Sequence, residues 1–283
     1  MKRILVIASL IIAVIACQKE LSIDNPDQTD PIDSSLYECK LLKIVQGLDG
    51  ATDTVYFVET DNQGRISKII DSEANLPYQA TYDAIDRITN IRTRGVFDSD
   101  VDYVYDANGR LVSISYAGGV YGGRSYVFEY STGKNPVRAR WTFSATGFPD
   151  YTGTEYYLYD TKGNLVTIND TSEQGNVYRT EYVYSSEPNI IPKSLLQYRF
   201  GSNMLLFNEL ALYFSKNMMS ERKTFHIGKT TDYARFRYEL NDKEQIAVIE
   251  QEWVDPDSLE VTTLYTMRFF WECKWSPSLS LHK

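Results

Sequence analysis

A ten-residue pattern recurs along the chain, and its period limits what the chain can fold into. YDANGRLVSI at 105–114 returns as YDTKGNLVTI at 159–168 and, less fully, as YDAIDRITNI at 82–91. Asp61-Asn62-Gln63-Gly64-Arg65 and Asn241-Asp242-Lys243-Glu244-Gln245 occupy the same frame, leading to Ile69 and Ile249. Blurred copies lie around Tyr130-Ser131-Thr132-Gly133 and Tyr184-Ser185-Ser186-Glu187. Each copy reads as a hairpin. Aspartate at the first turn position hydrogen-bonds its own backbone two residues on. Glycine at the fourth accepts positive φ, completing a type I turn with a glycine bulge. Asp86 and Glu244 replace that glycine, and because aspartate tolerates the region better than glutamate, the 241–244 turn is the least well specified.

Around the turns the side chains alternate. Tyr103 and Tyr105 share one strand face, as do Val112, Ile114 and Tyr116 after the turn. Thirteen of the 22 tyrosines lie between 103 and 184, a strand-favouring excess. Two strands per copy plus flanks predict an all-β antiparallel meander of about 14–18 strands, which curls into a barrel or a spiral because open sheets that wide rarely persist. One segment departs from this. In SNMLLFNELALYFSKNMMSERK (202–223), Leu206, Leu210, Tyr213 and Phe214 fall on one helical face and predict a helix near 204–216.

The first residues read as an address. Lys2 and Arg3 precede a short apolar run, Ile4 to Ile15, which is too short to span a bilayer and fits a signal peptide over 1–16. Cys17 follows a small residue. Residues 18–35 hold five acids, two prolines and few apolar side chains, so 17–35 reads as a flexible tether and 36–283 as a single all-β repeat domain. Val14-Ile15-Ala16-Cys17 resembles a bacterial lipobox, with Val14 where leucine is commonest. The resemblance implies a lipidated Cys17, attachment to the membrane through that anchor, and an outer-membrane lipoprotein on the periplasmic face or the cell surface.

The formal net charge is −9, and losing Lys2 and Arg3 takes it to −11. No basic stripe is visible, so nucleic acid is not an expected partner. Besides Cys17 there are two cysteines, Cys39 and Cys273. Two separate buried thiols are the default reading. A disulfide is the alternative, worth roughly 5 kcal/mol for a loop of about 234 residues in the chain-entropy model. Its one structural argument is barrel closure, which would make the first and last strands neighbours.

YDxxGRLxxI is similar to the tyrosine-aspartate repeats of Rhs-type proteins, which wind hairpins into a spiral sheet. Together with the lipobox and Leu212–Met219, which holds Ser215-Lys216-Asn217, it more closely resembles a group of secreted Gram-negative lipoproteins of unknown function described as having a porin-like barrel. The resemblance spans roughly 40–273 and brings no catalytic residues. It does not imply a pore, since membrane strands need about 9–11 residues with an apolar outer face.

Catalytic material is sparse. His226 reads as structural and His282 as terminal; no Ser elbow, phosphate-binding glycine loop, zinc-type Cys spacing or HExxH helix is present, and no cofactor is expected. Asp98, Asp100 and Asp102 alternate on one strand face, a weak calcium candidate that reads better as a solvated turn. Paired carboxylates acting on glycosides are a minor alternative. Tyr116, Tyr121 and Tyr126, around Gly118, Gly119, Gly122 and Gly123, are the candidate exposed aromatics for stacking on a sugar. The reading is a non-catalytic, lipid-anchored envelope protein that binds a glycan or a protein partner. An envelope component with a structural or assembly role and no small ligand is the alternative.

Overall fold

The computed structural model describes residues 37–48, 52–94, 98–118, 122–145, 147–198 and 210–275. The signal peptide, Cys17, the tether, Gly119, Tyr121 and His282 lie outside them. The strands are β1 (Tyr37–Leu48), β2 (Thr54–Thr60), β3 (Ile66–Asp71), β4 (Leu76–Tyr82), β5 (Ile88–Thr93), β6 (Ser99–Tyr105), β7 (Leu111–Gly118) and β8 (Gly122–Tyr130). They continue as β9 (Pro136–Ser144), β10 (Tyr151–Tyr159), β11 (Leu165–Ser172), β12 (Val177–Pro188), β13 (Asn217–His226), β14 (Lys229–Leu240), β15 (Ile246–Val254) and β16 (Val261–Trp275). Each pairs antiparallel with its sequence neighbours, and β1 pairs with β16, so the meander closes into a barrel. The sixteen described strands fall within the predicted range, and of barrel and spiral the fold is the barrel.

The repeat turns all lie at one end. At 106–109 the Gly109 N–H donates to the Asp106 carbonyl at 3.0 Å, and Asp106 Oδ1 accepts from the N–H groups of Asn108 and Arg110 at 2.9 Å. Those bonds, the Arg110 N–H first and its guanidinium after, hold the Asp106 carboxyl below the usual aspartate range. Glu244 closes its turn the same way, at φ 60°. A glutamate thus accepts a left-handed backbone once the flanking β14 and β15 are paired.

Two further roles were not visible in the sequence. The turn arginine stacks on the tyrosine of the next hairpin: Arg65 on Tyr82 at 4.4 Å, Arg87 on Tyr105 at 4.3 Å, Arg110 on Tyr130 at 4.6 Å. That tyrosine's hydroxyl donates back to a carbonyl just past the first turn, Tyr82 to Ile66 and Tyr130 to Leu111, each at 2.6 Å. The successive hairpins from β2 to β9 are latched one to the next.

The inward positions carry Ile44, Ile69, Ile91, Ile114 and Ile249, all essentially buried, with Tyr56, Tyr78, Tyr103 and Tyr157 between them. The connection from β12 to β13 folds into the turn end. Its helices are α1 (Lys193–Tyr198), against β3 and β5, and α2 (Leu210–Phe214), against β11 and β13. Leu195, Leu196, Ala211 and Leu212 join the buried core there. The helix predicted near 204–216 is therefore present as α2; residues 204–209 lie outside the described residues, and Ser215 and Lys216 are not helical. Six-residue α1 is too short to show a period.

The outward positions mix half-exposed apolar residues, among them Val104, Val127, Leu158 and Val183, with charged ones. They carry ion pairs: Lys68 with Glu59 at 3.0 Å, Arg92 with Asp100 at 2.7 Å, Arg140 with Glu129 at 3.0 Å. β3 and β5 have six residues each, short of the roughly 9–11 needed to cross a bilayer.

Closure corrects the default reading of the cysteines. Cys39 and Cys273 face each other in the β1–β16 register, and their sulfurs are bonded, 234 residues apart. The pair lies at the turn end, because β1 runs antiparallel to β2, whose last residue enters the 61–64 turn.

Candidate functional site

At the end opposite the repeat turns, the inner faces of β8 to β12 form a cavity of about 320 Å³. That is the lower end of the usual ligand-pocket range of about 300–1,000 Å³. Four aromatic residues line it, two from β9 and one each from β10 and β12. Trp141 and Phe143 stand at alternate positions of β9, Tyr151 opens β10 and Tyr178 lies near the start of β12. Phe143 and Tyr151 are cross-strand partners with rings 6.5 Å apart, and Tyr178 stacks on His226 at 4.5 Å. His226 is thus part of a ring stack, with Tyr178 presented at the mouth.

Trp141 lies flat over its cross-strand partner Gly153, where a Cβ would stand 2.5 Å from the indole. Glycine is required there by close approach. The indole N–H donates to Asp170 Oδ1 at 2.8 Å, fixing the ring plane. Arg124 completes the floor, its guanidinium carbon 4.8 Å from the Tyr126 ring and 5.5 Å from Trp141.

Asp170 sits directly across from Glu155 in the β10–β11 register. Burial raises the Asp170 carboxyl above its ordinary range, against the Trp141 hydrogen bond and the charge of Arg124. Glu155, only 7% exposed, is pushed up to about 7 by burial, although the Tyr157 hydroxyl donates to it at 2.6 Å. Both carboxyls hold a proton more readily than free acids do, opposite one arginine. Ser172, Gln174 and Asn176 add neutral donors and acceptors at the rim.

Of the predicted aromatics, Tyr116 and Tyr126 fall beside this site. Tyr126 is a correction: it is 8% exposed and stacks on Phe128 at 6.2 Å, because its strand position points inward, opposite Trp141 and under Arg124. Tyr116 is half-buried, opposite Arg124. Gly118, Gly122 and Gly123 are strand residues of β7 and β8 and make no loop. Asp98 is exposed, Asp100 is held by Arg92 and Arg94, and Asp102 accepts from Asn90 at 2.8 Å. Arginine and amide partners take the place of a cation, and among the described residues no group of three potential ligands gathers. Arg124, Trp141, Phe143 and Asp170 were missed. Alternation along β8, β9 and β11 puts them on one face, but only pairing register brings them to one end.

No protein-family model and no curated protein matches the chain. Among solved structures it is similar to a porin-like protein from Bacteroides vulgatus (14% identity, TM-score 0.51), covering 85% of this chain and all of that one. It is also similar to a porin-like protein from Bacteroides uniformis (9% identity, TM-score 0.52), covering 82% of this chain and 97% of that one. At these identities the likeness is one of fold.

Proposed function

We propose that the chain is a non-catalytic, lipid-anchored protein of the cell envelope whose barrel mouth binds a glycan. The observation that carries this is the Trp141–Asp170 pair within a wall of exposed aromatic rings. Sugar rings present C–H faces that stack on aromatic side chains, and hydroxyls that pair with carboxylate, amide and guanidinium groups. Trp141 and Phe143 supply the faces; Asp170, Arg124, Gln174 and Asn176 supply the polar partners. One acidic and one basic lining residue, Asp170 and Arg124, suit a neutral sugar. The porin-like Bacteroides neighbours support an outer-membrane or envelope setting. An anchor at Cys17 would reach the barrel through the tether at the turn end, the end away from the aromatic mouth.

Titration calorimetry of candidate glycans against the wild type and Trp141→Ala tests the reading. Saturable binding that weakens about tenfold or more without the indole, equivalent to about 1.4 kcal/mol, is the expected result. Equal binding by both proteins removes the pocket from the account.

A hydrolytic reading has one observation in its favour, the buried Glu155 and half-buried Asp170 facing each other across β10 and β11. Against it, Glu155 does not line the cavity and Asp170 is committed to Trp141. Release of reducing ends by the wild type, lost in Asp170→Asn, would favour hydrolysis.

A further inference from the structure

At the turn end, the segment leaving the helical connection carries Lys216, whose side chain makes no hydrogen bond or ion pair among the described residues. Ser215 and Asn217 are both used in docking onto the 160–164 turn. Ser215 Oγ accepts the Leu165 N–H at 3.0 Å, and Asn217 Oδ1 accepts from the Asn164 amide at 3.1 Å. Lys216 between them gives only its backbone, its N–H going to Asn164 Oδ1 at 3.0 Å. Its side chain passes over the Gly163 turn, where a Cβ would lie 3.3 Å from Lys216 Cε, and ends at a cavity of about 620 Å³.

Lys134, from the β8–β9 turn, and Lys193, at the start of α1, line the same cavity together with Arg110. Arg110 is paired with Asp106 at 2.7 Å, and Lys193 Nζ stands 5.2 Å from the Tyr213 ring centre. The described lining residues include four cations and no carboxylate, in a chain whose net charge is −9. Asn108 and Ser215 add neutral hydrogen-bonding groups.

We propose that this cavity binds phosphate groups. Lysine ammonium groups act as point charges toward phosphate, and three converging on one cavity favour a multiply charged anion over a single carboxylate. The source follows from position. β1 begins at this same end, so a chain anchored at Cys17 carries the cavity within reach of the bilayer, and the phosphates of membrane-lipid headgroups are the expected ligand. That assignment of source rests on the anchored reading; the phosphate chemistry does not.

The full chain in micelles of a phosphate-free polyoxyethylene detergent is titrated with inorganic pyrophosphate at low salt, then with phosphatidate mixed into the micelles. Both titrations are repeated on Lys134→Ala/Lys193→Ala/Lys216→Ala, whose exposed substitutions should leave Tm within a few degrees. Saturable binding that weakens about tenfold or more in the triple variant, and weakens with salt, is expected. A phosphatidate response lost in that variant assigns the headgroup. Pyrophosphate binding without a phosphatidate response overturns the headgroup source and assigns soluble phosphate. No binding by the wild type, or equal binding by the variant, overturns the site. Fractionation of Cys17→Ala is read separately, so a failed anchor is not confused with a failed cavity.

Discussion

The guanidinium carbon of Arg87 stands 4.3 Å from the centre of the Tyr105 ring, a residue of the next hairpin, while Arg87 Nε donates to Asp83 at 2.7 Å. One arginine therefore closes its own turn and latches the neighbouring one. A double-mutant cycle on Arg87 and Tyr105 should give a coupling of about 0.5–1 kcal/mol. Arg87→Lys keeps the charge, loses the planar fork and recovers only part of it. Additive single and double variants would remove the latch.

Asn164 stands where three of the repeat turns carry Arg65, Arg87 and Arg110, and it accepts the N–H groups of Lys216 and Asn217 at 3.0 and 2.9 Å. At 1% exposure it is a docking point for the helical connection. Asn164→Ala leaves two buried donors unpaired and should cost about 2–4 kcal/mol in urea unfolding. Asn164→Arg, which restores the residue of those turns, should not rescue, because the longer side chain has no room there.

The Cys39–Cys273 bond joins the first and last strands of the barrel. Intact mass after alkylation without reductant should show no added groups on these residues. Cys39→Ser/Cys273→Ser should lower stability by up to about 5 kcal/mol, the loop-closure value for so long a separation. Alkylation of both thiols without reductant would contradict the bond.

Glu155 makes stability depend on pH. Its folded-state value of about 7 lies above the ordinary 4.5, so the native state holds the proton more tightly than the unfolded chain does. Its stabilising contribution is complete below about pH 4.5 and is lost as pH rises through about 7, in total up to about 3 kcal/mol. Glu155→Gln, which cannot ionise, should melt higher than the wild type at pH 8 and about equally at pH 4.5. Parallel Tm profiles across that range would sink the assignment.

The hairpin period was legible because turn chemistry is local: Asp106, Gly109 and the alternation around them encode each unit without its neighbours. Strand number and the all-β class followed from that period. Closure was not legible, since nothing near Cys39 or Cys273 states that β1 meets β16. Glu244 shows the limit of local preference, as paired strands impose a backbone its side chain disfavours. The aromatic mouth was hidden for the same reason as closure. Trp141 and Asp170 are 29 residues apart and meet only through the registers of β9, β10 and β11. Tyr126 lies in register with Trp141 yet faces the core, so reading aromatics near glycines found the right end of the barrel and the wrong ring.

The most direct measurement is thermal unfolding against a panel of neutral glycans, with Trp141→Ala run beside the wild type. A ligand at a hundred times its dissociation constant adds about 2.7 kcal/mol, which for a domain of this size raises Tm by roughly 5–10 °C. The account predicts such a rise in the wild type and its loss in Trp141→Ala. A cooperatively melting wild type that no glycan shifts, or a shift that survives removal of the indole, would contradict it.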